Sequence, residues 1–113
     1  MDLTLWHNPR CSKSRQALAL LEDGGHAPSV RLYLTNPPSE DEIRAVLDKL
    51  GIEPRALMRT GEKIYRDLEL KDADDPALVC AMATHPILIE RPVLLTGDRA
   101  VIGRPPEQVL TLV

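Results

Sequence analysis

The sequence predicts one α/β domain built from a β-α-β unit, a helical middle, and a β-hairpin followed by a short helix. Three observations predict it. First, the apolar run Leu3-Thr4-Leu5-Trp6 is followed by Ala17 to Leu21 at helical period and then by a strand-like run, Val30 to Leu34. Second, Pro37-Pro38 breaks the chain and introduces Ile43, Val46, Leu47 and Leu50 at helical spacing. Third, Gly97-Asp98 separates two short apolar runs, a hairpin signal.

Each element has its own local reason. Leu3 to Trp6 reads as strand one. Ser12 to Asp23 reads as helix one, closed by Gly24-Gly25 as C-cap. Val30 to Leu34 is strand two, joined to strand one through a helix and therefore parallel to it. Ser39-Glu40-Asp41-Glu42 fits a capping box for the next helix, which Gly51 closes. Pro54 suits the first turn of a short helix, Arg55 to Met58. Thr60 to Asp75 reads as polar and irregular. Pro76 opens a helix through Ala83, and Pro92 to Leu95 and Ala100 to Ile102 are the hairpin strands. Pro105-Pro106 starts a last short helix carrying Val109, Leu110 and Leu112. This order is the thioredoxin-like arrangement, with a helical insertion between the βαβ half and the ββα half.

Composition narrows the function classes. The 113 residues suit one domain, 1–113, and at 43% hydrophobic they can fill a core, although with no Phe and 3% aromatics that core must be aliphatic. A net charge of -3 argues against a dedicated nucleic-acid binder. No apolar stretch approaches the ~20 residues of a membrane span, and the first ten residues lack a secretory h-region. A cytoplasmic protein is expected. No His/Cys spacing suits a metal and no Gly-rich phosphate loop is present, so neither a metal nor a nucleotide cofactor is expected.

The chemistry concentrates at His7-Asn8-Pro9-Arg10-Cys11-Ser12-Lys13-Ser14-Arg15. Cys11 stands at a strand-to-helix turn among Arg10, Lys13 and Arg15. Unpaired backbone N–H groups and the helix dipole favour negative charge at such a terminus. They lower a thiol's pKa and also bind oxyanions. Position 14 is serine, so the Cys-x-x-Cys dithiol is missing, and the resolving thiol is either Cys80 or one from outside. Cys80, in the run Leu78-Val79-Cys80-Ala81-Met82, is expected to pack as a small core hydrophobe. Ser14 is either a hydrogen-bond donor to the Cys11 thiolate or a capping or surface serine. His7 is open between general base, electrostatic neighbour and orienting hydrogen-bonder. His26 and His85 read as structural. Arg59, Arg91 and Arg104 are each surface charges by default. As a set they are less ordinary: in a thioredoxin-like fold the segment before the third strand passes near the N-terminus of helix one, its proline is typically cis, and Arg91-Pro92 fits that slot. Guanidinium groups converging on Cys11 would hold a tetrahedral oxyanion through bidentate bonds.

At this point the chain resembles the glutaredoxin-linked arsenate reductase family, part of the ArsC/Spx-like thioredoxin-fold superfamily. The resemblance rests on His-Asn-Pro-x-Cys-x-x-Ser-Arg at 7 to 15, on Tyr33-Leu34 before Pro37-Pro38, and on Arg-Ala-Leu-x-Arg at 55 to 59. It continues in His85-Pro86-Ile87-Leu88-Ile89-Glu90-Arg91-Pro92 and Gly103-Arg104-Pro105. It implies an arsenate reductase serving arsenic detoxification, in which Cys11 attacks arsenate and the anion-binding arginines fall on Arg59, Arg91 and Arg104. It further implies His7 and Ser14 as supporting residues, glutathione as thiol co-substrate and glutaredoxin as reducing partner. Lys13 stands where a small polar residue is common and Arg10 where Ala is common, and both add positive charge.

Two other readings share the fold. One is an Spx-like redox regulator that binds RNA polymerase. Members of that type usually carry Cys-x-x-Cys and lack an arginine in the slot of Arg104, so Ser14 and Arg104 weigh against it. The other is a thiol oxidoreductase with a substrate other than arsenate, which an assay combining arsenate, glutathione and glutaredoxin would separate.

Overall fold

The computed structural model describes residues 2–113. The chain divides into two compact units. One runs to Asn36 and resumes over Arg91–Val113, and the other is Pro37–Glu90.

The first unit is the strand-bearing one. Its strands are β1 (Thr4–Trp6), β2 (Ser29–Arg31), β3 (Val93–Leu95) and β4 (Ala100–Ile102), in the sheet order β2-β1-β3-β4. β1 and β2 are parallel, with Leu5 opposite Val30, because the helix α1 (Ser12–Asp23) connects them. β3 is antiparallel to both β1 and β4, with Leu5 opposite Leu94 and Leu94 opposite Val101. Alternation puts Leu5 and Leu94 on one face of the sheet. There they meet Ala17 and Leu21 of α1 and Val109 and Leu112 of the 3-10 segment Pro106–Leu112. The last short helix is thus a 3-10 segment. Fully burying each of these leucine and valine side chains contributes about 1.5–3 kcal/mol, and truncating Leu94 to Ala would cost about 2–5 kcal/mol. This is the thioredoxin-like arrangement, its halves separated in sequence by a helical insertion.

Strand two is shorter than its apolar alternation suggests. After Arg31 the amides of Thr35 and Asn36 both turn back to the Leu32 carbonyl, so Leu32 and Leu34 lie exposed in a turn.

The second unit is helical. α2 (Glu40–Leu50) begins with the expected reciprocal capping box of Ser39 and Glu42 and ends at Gly51 in the left-handed region, φ 66°, which glycine enters without steric cost. Its buried residues Ile43, Val46 and Leu47 form one stripe, and α2 packs on α4 (Asp75–Thr84). Arg55, on the 3-10 turn Pro54–Leu57, donates to the Tyr65 hydroxyl and to the carbonyls of Leu70, Lys71 and Ala73. That fan of bonds organises the stretch read from sequence as irregular. It contains α3 (Lys63–Asp67) and a 3-10 turn, Leu70–Asp72, with Tyr65 and Leu70 buried.

Candidate active site

Cys11 is the N-cap of α1, with extended backbone at φ -94° and ψ 122°. The loop before it is tied locally. The Cys11 amide donates to the Asn8 carbonyl, the Arg10 amide to the Asn8 side chain, and Arg15 Nη1 to the Pro9 carbonyl at 2.9 Å. No acidic side chain stands in the first turn of α1, so nothing local opposes an anion there.

The Cys11 side chain is 9% exposed. Burial alone would push its thiol up. The backbone N–H groups of Ser14 and Lys13 and the Arg91 guanidinium point at the sulfur and outweigh burial, so the thiol lies below its ordinary value. The lowered thiol and the N-terminus of α1 thus coincide at Cys11.

Ser14 acts differently from either alternative read from sequence. Its side chain is fully buried and does not cap the helix. Its hydroxyl accepts from the Asn8 amide at 3.0 Å and shares a 2.7 Å hydrogen bond with His7 Nδ1, while its own amide serves the sulfur. His7 is buried, and burial lowers its pKa, with Arg15 adding to the effect. Lowering of this kind favours the neutral ring, and the bond to Ser14 ties His7 to the first turn of α1.

Arg91 and Arg104 both belong to the unit that holds Cys11. Each precedes a cis proline, Pro92 and Pro105. The Arg91 cis bond fits the slot expected from sequence; the second cis bond has no counterpart in that reading. Arg91 is half-buried and Arg104 exposed. Arg59 belongs to the helical unit. Its amide donates to the Leu88 carbonyl at 2.7 Å and its guanidinium pairs with Glu62.

Cys80 is exposed on α4, which corrects its reading as a core cysteine. α4 buries Leu78, Val79, Ala81 and Met82 and turns position 80 outward. His26 and His85 are half-buried. Among the described residues no group of three or more His, Cys, Asp or Glu is arranged to hold a metal ion, and no helix is long and apolar enough to cross a membrane. Sequence reasoning held Asn8 and Gly103 only as members of motifs and gave them no role of their own, and it missed Glu62, whose place three residues after Arg59 was a readable signal.

Fold and site together define a thioredoxin-like protein with a cysteine at the N-terminus of its first helix. The ArsC family profile matches residues 6–112. An arsenate reductase of Haemophilus influenzae is 45% identical over 99% of this chain and 99% of its own length. One from Neisseria meningitidis is 43% identical over 96% of this chain and 95% of its own. The solved structure of an arsenate reductase from Vibrio cholerae superposes with a TM-score of 0.97, is 49% identical, and covers 100% of this chain and 98% of that one. The chain belongs to the ArsC family.

Proposed function

We propose that this protein is an arsenate reductase in which Cys11 forms the bond to arsenic. The carrying observation is the Cys11 thiol, lowered by the Ser14 and Lys13 amides and Arg91, in a chain 49% identical to the Vibrio cholerae arsenate reductase. The Cys11 sulfur attacks arsenic, one arsenate oxygen leaves as water, and arsenic stays pentavalent. The thiol of glutathione adds next, and a second oxygen leaves as water. A glutaredoxin thiol then attacks the glutathione sulfur. A disulfide forms, the As–S electron pair remains on arsenic, and arsenic becomes trivalent. Water cleaves the Cys11–arsenic bond, releasing arsenite and restoring the thiol. In sum, arsenate and two thiols give arsenite, one disulfide and one water.

Arg59, Arg91 and Arg104 bind the oxyanion and offset charge on its oxygens. His7 and Ser14 support the loop that carries Cys11. The chain that brings Cys11 offers serine at the usual position of a resolving cysteine, which supports an external thiol, and a reducing cytoplasmic setting supplies one.

The test is arsenite release by the purified protein with arsenate, glutathione and glutaredoxin. Release that depends on all three and on Cys11 is expected. Absence of arsenite together with reduction of a small disulfide would make the protein a thiol oxidoreductase of another substrate. Robust capture of the RNA polymerase α subunit without thiol-dependent turnover would make it a regulator.

A further inference from the structure

Arg59 meets a carboxylate before it meets any ligand. Its Nη1 and Glu62 Oε1 form an ion pair with side chains 28% and 25% exposed. The pair is fixed from behind. The Arg59 amide is held by Leu88, and the Glu62 amide returns to the Arg59 carbonyl at 3.2 Å across the turn at Thr60-Gly61. Glu62 is also the N-cap residue of α3, but its side chain makes no cap bond. The carboxylate is committed to the guanidinium instead.

A guanidinium presents five N–H donors and a carboxylate only acceptors. Glu62 takes Nη1, so an oxyanion bound along the rest of the same guanidinium comes to lie next to a carboxylate. Tetrahedral oxyanions differ in how they tolerate that neighbour. Near neutrality arsenate and phosphate keep at least one O–H, which can donate to Glu62. Sulfate keeps none, so it would set acceptor against acceptor and like charge against like charge.

We propose that Glu62 is a specificity-determining residue: paired with Arg59, it selects tetrahedral oxyanions that carry a proton, arsenate and phosphate, and rejects sulfate. The proposal rests on the reading that Arg59 binds the substrate oxyanion. It adds a repulsive element against one competitor, one of the two ways a site discriminates between ligands.

Calorimetric titration of the intact protein and its Glu62→Gln variant with sodium arsenate, phosphate and sulfate at neutral pH tests it. The native protein should prefer arsenate and phosphate to sulfate. Glutamine, which can donate, should erode that preference by about tenfold or more. An arsenate-to-sulfate ratio unchanged in the variant overturns the role of Glu62 and leaves the reductase reading intact. A native protein that binds none of the three ions overturns both. Monofluorophosphate supplies a measurement that needs no variant, because it is tetrahedral yet unprotonated at neutral pH. The native protein should bind it about tenfold more weakly than phosphate, and equal binding overturns the proposal.

Discussion

The amide of Gly103 donates to the carbonyl of Pro92 at 2.8 Å, and the two residues sit immediately beside the two arginines of the strand-bearing unit, Arg104 and Arg91. Glycine is required here for space rather than for backbone freedom. A Cβ at position 103 would stand 2.7 Å from Pro92 Cγ and 2.9 Å from Val109 Cγ1, and a proline ring cannot swing away. Gly103→Ala should therefore push the two arginine-bearing segments apart. The expected cost is about 1–3 kcal/mol of stability, read by urea denaturation, together with weaker oxyanion binding by calorimetry. A variant of native stability and native affinity would show that these segments tolerate displacement.

The thiol itself gives the next prediction. Burial opposes the Cys11 thiolate, while the amides of Ser14 and Lys13 and the charge of Arg91 favour it and prevail. Arg91→Ala removes one of the favourable contributions, so the titration midpoint should rise and alkylation at neutral pH should slow. Thiolate absorbance against pH measures it, with Cys80→Ser as background to isolate one thiol. The sign for stability follows from linkage. A thiol whose folded pKa lies below the ordinary 9.0 stabilises the fold fully above that value, and the contribution is lost as pH falls through the folded midpoint. A profile identical in the Arg91 variant would separate that arginine from the sulfur.

How legible the site was depends on how local its causes are. Helix α1 over Ser12–Asp23 was readable because its apolar period and the Gly24-Gly25 stop are both sequence-local. The capping box of Ser39 and Glu42 was readable for the same reason. The end of β2 was not. Val30, Leu32 and Leu34 alternate as a strand does, yet the turn to the Leu32 carbonyl is backbone chemistry that side-chain pattern does not record. The α3 region looked irregular because its order comes from Arg55, ten to eighteen residues away. Cys80 was misread because the run around it is apolar on every side, and a helix without a polar face does not announce which residue turns outward.

An exposed Cys80 on α4 of the helical unit is reachable by reagent, yet the proposed cycle takes its second and third sulfurs from outside the chain. Cys80→Ser should therefore release arsenite as the native protein does in the glutathione and glutaredoxin assay. Cys11→Ser should release none while melting at nearly the native temperature, since one sulfur becomes one oxygen at a helix cap position that tolerates serine. Loss of turnover in the Cys80 variant would return that residue to the role of resolving thiol.

The pairing of His7 with Ser14 gives the last prediction, and it has two independent readouts. Ser14→Ala deprives both the Asn8 amide and His7 Nδ1 of a buried partner. Leaving such groups unsatisfied costs about 1–3 kcal/mol, visible in denaturant unfolding. His7 itself reports through pH. Burial, reinforced by Arg15 and opposed by Glu22, lowers its pKa from the ordinary 6.5. In the window between 6.5 and the lower folded midpoint the unfolded chain binds more protons than the folded one, so stability declines as the solution is acidified through that window. The imidazole resonances of His7 should titrate below 6.5, and His7→Gln should flatten the dependence of unfolding free energy on pH across the same interval. A His7 midpoint at or above 6.5 would mean that burial does not dominate at the ring, and would remove the predicted loss of stability on acidification.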